Sequence, residues 1–338
     1  MQAILMIAAG NADVLQLREI ARPELPSPHH LRVKLAAAGV NPIDTKLRAK
    51  PVYYPDQLPA ILGCDGAGTV EETGSAVTRF KPGDAVYFCN GGLGGNLRDE
   101  PGCYAEYTTL HEEYCAAKPA NLSLEESAAL PLALLAAWES LVERASLQAG
   151  QTILIHAAAG GVGHIAVQLA HHLGAHIAVT VSGDKKAGLV HGLGAEKIIN
   201  YREQDFVQEI LQWTESKGAD VVFDTVGGET FLHSLNAARI GGKLVSLLAT
   251  PLAAADVQLA RLRNLALCFE LMLTPQVLKL HDERIRQRRI LEQGAQLVEA
   301  GKLGVLVSHK LPLENAAEAH RLIEAGGMTG KIVLTMGY

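Results

Sequence analysis

From residue 152 onward, short unbroken apolar runs alternate with stretches whose apolar positions recur every three or four residues. Runs of that kind, bounded by turn residues, predict strands buried on both faces, and the longer period between them predicts helices. Thr152–Ile155 is the first such strand. A helix follows with Ile165, Leu169 and Leu173 in phase, and Gly174 stops it. His176–Val181, Lys197–Asn200, 221–224 and 243–248 read as further strands, and 265–269 as a last apolar one. This alternation predicts an α/β domain with a doubly wound parallel sheet. The first 120 or so residues differ. Their apolar stretches (31–36, 68–72, 85–88, 104–109) are separated by turn signals such as Lys81-Pro-Gly-Asp84, which predicts a compact β-rich domain. Between the two textures, Ser123 and Glu126 have the spacing of a capping box. Helices over 283–300 and 314–325 and the strand Lys331–Thr335 close the chain.

The most informative segment is Thr152-Ile-Leu-Ile-His-Ala-Ala-Ala-Gly-Gly-Val-Gly163. A strand, a glycine-rich turn, a helix and a second strand form a βαβ unit, with its turn where dinucleotides bind. Ala158 stands at the first glycine position of the usual G-x-G-x-x-G pattern, and Gly160 and Gly163 fill the others. Gly160 and Gly161 let the backbone turn tightly beside a pyrophosphate. Gly163 lets helix and strand pack closely. The N–H groups from Val162 onward face the phosphate oxygens.

Composition narrows the class. A chain of 338 residues with 48% hydrophobic content has material for two domains. Its net charge of −6 gives no basic footprint, so neither nucleic acid nor an anionic membrane surface is an expected partner. Apolar runs such as 128–138 are too short to span a bilayer. No basic residue precedes Arg18, which argues against a secretory signal. The five cysteines have neither disulfide-framework nor Cys-x-x-Cys spacing, so a reducing cytoplasm is the expected location.

The motifs together resemble the medium-chain dehydrogenase/reductase superfamily, nearly end to end. They are Ala38-Gly-Val-Asn-Pro-Ile-Asp44, Leu62-Gly-Cys-Asp-Gly-Ala-Gly68, Phe80-Lys-Pro-Gly-Asp-Ala-Val-Tyr87, Ala128-Ala-Leu-Pro131, the segment ending at Gly163, Asp224-Thr-Val-Gly-Gly228 and Gly330-Lys-Ile-Val-Leu334. Within it the chain is similar to the zinc-free quinone oxidoreductase branch. The resemblance implies a GroES-like β domain over 1–122, completed by 272–338, and a Rossmann domain over 123–271, with the active site in the cleft between them.

The zinc question turns on the residues present. Of the three catalytic zinc positions of the related alcohol dehydrogenases, the first holds Asn41, the second Cys64, and the 132–137 stretch has no cysteine for the third. One thiol is not a zinc site. The four-cysteine lobe of those enzymes is replaced by the glycine-rich 90–102 segment, read as a flexible loop. His171 and His172 diverge by about 100° on a helix and cannot chelate together; they and the His29, His30 pair read as surface histidines. No metal is expected.

For the cofactor, the place about 20 residues beyond the glycines, where an NAD-binding fold carries an acid, holds Ser182. Its hydroxyl tolerates a 2′-phosphate. The resemblance implies that Lys186 and Tyr201 flank that phosphate and that Val226 and Lys331 also contact the cofactor, expected to be NADPH. Without a Lewis acid, hydride goes to an acceptor that is already electron-poor, such as a quinone or an enone. Asn41 is then a candidate donor to the acceptor oxygen, Asp44 a residue that fixes its loop, and Tyr53 or Tyr54 a proton source or cleft lining. The same residues fit an alkenal or enoyl reductase. A non-catalytic NADPH-binding structural or RNA-binding protein is the alternative of a different class, disfavoured by the acidic charge balance. The 265–269 strand matches the one that commonly pairs across a two-fold axis in this superfamily, so a homodimer is expected.

Overall fold

The computed structural model describes residues 1–95 and 100–337. Part of the expected 90–102 loop, residues 96–99, lies outside the described residues. The chain divides into two compact units: 1–132 with 273–301 and 305–338, and 133–272 with 302–304.

The first unit is built on a seven-stranded sheet in the order Val307–Pro312, Lys331–Thr335, His30–Val40, Asp65–Thr73, Ala85–Cys89, Cys115–Ala117, with Tyr107–His111 paired to His30–Val40. Only the first two strands pair in parallel. A separate antiparallel pair joins Gln2–Met6 to Leu15–Glu19. His30–Val40 shows why one strand can carry a site at its end. Its first half alternates buried and half-exposed positions, as a strand with one wet face should, and its last four residues are buried without a break. The short helix Leu124–Ala128 covers that second half, packing on His30–Val40, Asp65–Thr73 and Ala85–Cys89. A Cβ on Gly39 would meet the carbonyl oxygen of Ala128 at 2.4 Å, so only glycine allows the approach. This packing places Leu124–Ala128 in the first unit, and that unit's first stretch therefore runs past residue 122 to Leu132. The Ser123–Glu126 capping box that starts this helix is formed, with bonds of 2.8 and 3.1 Å.

The second unit is a six-stranded, wholly parallel sheet in the order Lys197–Asn200, His176–Val181, Thr152–Ile155, Ala219–Asp224, Ala238–Ser246, Ala266–Phe269. Counted in chain order this is 3-2-1-4-5-6, the doubly wound arrangement, with a switch point beside Thr152–Ile155. Helices Gly163–His172, Asp184–Gly192, Phe206–Trp213, Glu229–Ala237 and Ala254–Leu262 connect the strands. One core joins Leu154, Ala178, Ile199, Val222 and Leu244 of the sheet to Ile210, Phe231 and Leu235 of the helices. Asp205 starts its helix by accepting from the Val207 N–H at 2.8 Å. No described helix is long and apolar enough to cross a membrane.

Candidate active site

Strand His30–Val40 delivers the chain to Asn41, and Pro42 opens the helix Pro42–Ala49 there. Proline suits that first position because its missing N–H would have no partner anyway. Asp44 reaches back, and its Oδ2 accepts from the Asn41 backbone N–H at 2.8 Å. The Asn41 side chain turns away from the helix into a fully buried polar corner. Its Nδ2 donates to Asp65 Oδ2 at 2.9 Å, and its Oδ1 accepts from Lys331 Nζ. The Lys331 ammonium also lies 3.5 Å from Asp65 Oδ2, and Asp65 Oδ1 accepts from the Leu132 N–H at 2.8 Å. Asn41, Asp44, Asp65 and Lys331 are all buried.

Burial raises the Asp65 carboxyl above its usual range, against the pull of Lys331, Asn41 and the Leu132 N–H. Asp44 is likewise pushed up, to about 7, chiefly by burial and also by Asp65; the Asn41 N–H, Tyr104 and Lys331 oppose the shift. The Cys64 thiol is held well above its ordinary value, first by its hydrogen bond with Cys89 and then by burial. It is a neutral thiol in this setting.

The expected site residues sort unevenly. Asn41 and Asp44 are joined directly, through the Asn41 N–H and Asp44 Oδ2. Lys331, expected at the cofactor, is committed to Asn41 and Asp65. Neither contact could be read from the sequence, since 290 positions separate Lys331 from Asn41 and 266 separate it from Asp65. Tyr53 and Tyr54 make no hydrogen bond to Asn41 or Asp44 among the described residues. Burial, and then the nearby Cys64, push the Tyr53 hydroxyl up. Tyr54 lines a cavity of about 380 Å³ with His30, Gln57, His111, Tyr114 and Arg284. His30 is therefore no surface histidine: burial, with His111, Arg284 and His29 around it, lowers it to about 4. His171 and His172 are exposed or nearly so. Tyr104, Asp65 and His320 belong to the polar corner. The first and last had no signal in the sequence, being single polar residues without a spacing pattern.

In the second unit the glycine turn has the geometry its sequence demands. Ala157 takes a φ of +49°, the Ala158 N–H bonds to the Thr180 carbonyl at 3.2 Å, and the Gly160 N–H to the Ala157 carbonyl at 2.9 Å. A Cβ on Gly163 would meet the Ala157 oxygen at 2.4 Å and the Ala158 Cα at 2.7 Å. The helix thus begins as close to the strand end as backbone can come. Its first N–H groups, near Gly161, Val162 and Gly163, have no intrahelical acceptor by the geometry of a helix start. His156 is a core residue, with its ring between Thr180 Oγ1 at 3.1 Å and Ser234 Oγ at 3.0 Å. Burial lowers it to about 4, which keeps it neutral.

The next two strand ends gather the remaining cofactor candidates. Val181 pairs with Asn200, so Ser182 and Tyr201 leave the sheet side by side, and the Tyr201 N–H bonds back to the Val181 carbonyl at 3.1 Å. Gly183, with a φ of +153°, turns the chain into the helix Asp184–Gly192, whose first turn carries Lys186. Tyr201 is 52% exposed. After the strand Ala219–Asp224, buried Asp224 accepts from the Val226 and Gly227 N–H groups, each at 2.9 Å, and from Ser246 Oγ at 2.7 Å. That carboxylate shapes the turn and leaves Val226 exposed.

A β-rich unit and a doubly wound unit with a phosphate-type turn in one chain are the parts of a nicotinamide-dependent dehydrogenase or reductase. Comparison with known proteins agrees. Residues 27–120 match the family described as alcohol dehydrogenase GroES-like domain, and 193–334 the family described as zinc-binding dehydrogenase. The quinone oxidoreductase of Pseudomonas aeruginosa is 35% identical over 97% of each chain. Among solved structures, the Escherichia coli quinone oxidoreductase complexed with NADPH is 30% identical, with a TM-score of 0.87 over 99% of this chain and 100% of that one. An NAD-dependent alcohol dehydrogenase is 33% identical, with a TM-score of 0.87 over the whole of both chains. The chain belongs to the quinone oxidoreductase family of the medium-chain dehydrogenase/reductase superfamily, and it is an oxidoreductase.

The name of one matching family implies zinc, and the polar corner does not fit it. Asn41 offers a carboxamide already engaged on both atoms, Cys64 is a buried thiol, and Asp65 is shared by Asn41, Leu132 and a buried ammonium. Among the described residues no group of three or more histidines, cysteines or carboxylates could hold a metal. Lys331 already supplies the cation that balances Asp65.

Proposed function

We propose that this protein transfers hydride from NADPH to a quinone or a similarly electron-poor small molecule, without zinc. The observation that carries the reading is the Asn41–Lys331–Asp65 corner, where a fixed ammonium stands in place of a Lewis acid. NADPH, when bound, supplies the hydride. The protein's part is to hold donors toward the oxygen that gains charge. Asn41 Nδ2 has a second N–H beyond the one given to Asp65, and Lys331 Nζ has a third beyond those directed at Asn41 and Asp65. Pre-arranged donors of this kind suffice for an acceptor whose charge delocalises onto oxygen, but not for a plain alcohol or ketone. A panel of quinones, enals and enoyl thioesters with NADPH tests this. The highest kcat/KM is expected with a quinone, and no turnover with any of them would refute the reading.

Ser182 in place of an acid, beside Lys186 and Tyr201, supports NADPH over NADH. Lys186→Ala is expected to cost about 1.5–3 kcal/mol in NADPH affinity, the worth of a charge-assisted hydrogen bond, and almost nothing with NADH. Tyr201→Phe should act in the same direction, more weakly. Equal losses with both cofactors would show that Lys186 does not read the phosphate.

The assembly we propose is a homodimer. Ala266–Phe269 ends the second unit's sheet, pairing on one side with Ala238–Ser246, and Phe269 at its end is 51% exposed. Two-fold pairing would cover this edge and satisfy its backbone groups. Light scattering should give twice the chain mass, and Leu267→Pro, which removes a ladder donor, should give the single-chain mass. A dimer that survives the proline would place the interface elsewhere. Five free thiols support residence in a reducing compartment such as the cytoplasm.

A further inference from the structure

The polar corner is the inner end of a longer buried chain of groups. Arg48, on the helix Pro42–Ala49, lies 3% exposed, and its Nη1 is 3.4 Å from His320 Nδ1 on the helix Ala316–Ala325. Glu324, near the surface, holds the same guanidinium, and Arg48 Nε donates to the Gly10 carbonyl at 3.0 Å. His320 Nε2 is 3.2 Å from the Tyr104 hydroxyl, and the Tyr104 hydroxyl is 2.8 Å from Asp44 Oδ2. His320, Tyr104 and Asp44 are all fully buried.

Donor and acceptor chemistry fixes the direction of every link. Arginine can only donate, so His320 Nδ1 accepts. Burial, with the charge of Arg48 added, lowers His320 to about 3, so the ring is neutral and its single proton sits on Nε2. Nε2–H then donates to the Tyr104 oxygen, which leaves the Tyr104 O–H to donate to Asp44 Oδ2. That oxygen also takes the Asn41 N–H and is fully used. The other oxygen, Asp44 Oδ1, is buried and has no hydrogen-bond partner among the described residues. A buried polar atom left unpaired costs free energy and calls for an explanation.

We propose that Tyr104 and His320 are positioning residues of the reaction: their one-way donor chain from Arg48 engages one oxygen of Asp44 and leaves the other, Oδ1, as the proton-exchanging atom of the Asn41 corner. The inference rests on the hydride-transfer function proposed above. Hydride addition leaves an anion on the acceptor oxygen. The O–H bond at Asp44 Oδ1 breaks, its proton neutralises that anion, and its electron pair stays on the carboxylate. Solvent refills the proton before the next turnover. The Tyr104 O–H stabilises the carboxylate so formed.

The charged and titratable groups that face Asp44 set the sign. Asp65 pushes its pKa up, Lys331 pulls it down, and the Tyr104 hydroxyl and Asn41 N–H pull it down further. The Cys64, Cys89 and Cys103 thiols are all raised and uncharged. Loss of the Tyr104 donor must raise Asp44 further, so the alkaline limb of activity must move to higher pH.

The test has two readouts on the full chain. In apo protein carrying carboxyl-labelled aspartate, with Asp44→Asn to assign the signal, Asp44 should titrate near 7. Tyr104→Phe should move it upward by about one pH unit. His320→Leu should move it the same way by less, and His320→Gln, which keeps a donor, should largely restore it. The alkaline limb of kcat/KM with NADPH and a quinone should follow in parallel. Titration in the ordinary carboxylate range, or no movement in Tyr104→Phe, overturns the donor chain; should that variant fail to fold, His320→Leu decides. Movement of the Asp44 signal without movement of the limb overturns the proton role. Movement of the signal with no turnover on any acceptor leaves the chain standing and refutes the hydride-transfer function.

Discussion

Lys331→Met is expected to lower the stability of the protein by about 3–5 kcal/mol, the usual result of removing one partner of a buried ion pair. The side chain is 4% exposed, and Asp65 beside it is fully buried, so the carboxylate left behind loses its counter-ion without contact with solvent. Asn41 Oδ1 loses its donor in the same change. The defect should depend on pH in a definite direction. Burial already raises Asp65, and loss of the ammonium raises it further. A carboxyl with a raised folded-state pKa favours folding less as pH climbs, so the variant should be weakest at neutral and alkaline pH. It should recover part of the loss as pH falls toward the ordinary carboxylate range. Asp65→Asn added to Lys331→Met should also recover part of it, because the uncompensated charge is gone. Denaturant unfolding across pH measures both effects. A variant as stable as the parent at pH 7 would mean that Lys331 does not sit where the structure places it.

Gly163→Ala should lose cofactor and stability together. The added Cβ would lie 2.4 Å from the Ala157 oxygen and 2.7 Å from the Ala158 Cα, both of them backbone atoms that no rotamer change can move aside. Helix and strand must separate, and an overpacked site of this kind typically costs about 1–3 kcal/mol. The helix N-terminus moves with it, so NADPH affinity should fall about tenfold or more, since 1.4 kcal/mol is a factor of ten. Gly160→Ala is the informative contrast. Its Cβ meets the Ala157 oxygen at 3.1 Å, a contact a small shift relieves. Stability should then be nearly kept while NADPH binding falls, because a pyrophosphate held at this turn would need close approach of the backbone at Gly160. Calorimetric titration with NADPH, paired with thermal unfolding, separates the two. Equal behaviour of the two variants would show that the turn does not hold the cofactor this way.

The second unit was largely legible from sequence because its central strands, Thr152–Ile155, His176–Val181 and Ala219–Asp224, are buried along almost their whole length. Thr152–Ile155, His176–Val181 and Lys197–Asn200 are apolar runs cut off by glycine or polar turn residues, and the structure places strands on those residues. Ala238–Ser246 begins earlier than its apolar core suggests, because Gly241 and Gly242 within it read as a turn. The first unit was less legible. Val307–Pro312 has no buried residue and carries Ser308, His309 and Lys310, so it gives no strand pattern, and only pairing with Lys331–Thr335 makes it one. The helix Pro42–Ala49 is signalled in the sequence only by its Asn-Pro-x-Asp start. The six-residue π-helical turn Glu139–Arg144 has no sequence signature at all.

The same contrast holds for the site. The glycine turn and Ser182 are local, so spacing alone pointed to them, while Lys186 and Tyr201 entered through the family resemblance. The corner is assembled from Asn41, Asp65, Tyr104, His320 and Lys331, which the sheet and the last helix bring together from across the chain. No periodicity links such residues, and only the folded unit shows that Lys331 faces Asn41.

Hydride is proposed to pass from NADPH to a quinone beside a fixed ammonium and not a metal. A single-turnover experiment on protein stripped of metal by chelation tests it most directly, using NADPH deuterated at the transferred position and a quinone in excess. Hydroquinone should form at the rate of the untreated protein, slowed by the deuterium. No hydroquinone until zinc is restored, about one ion per chain, would contradict it.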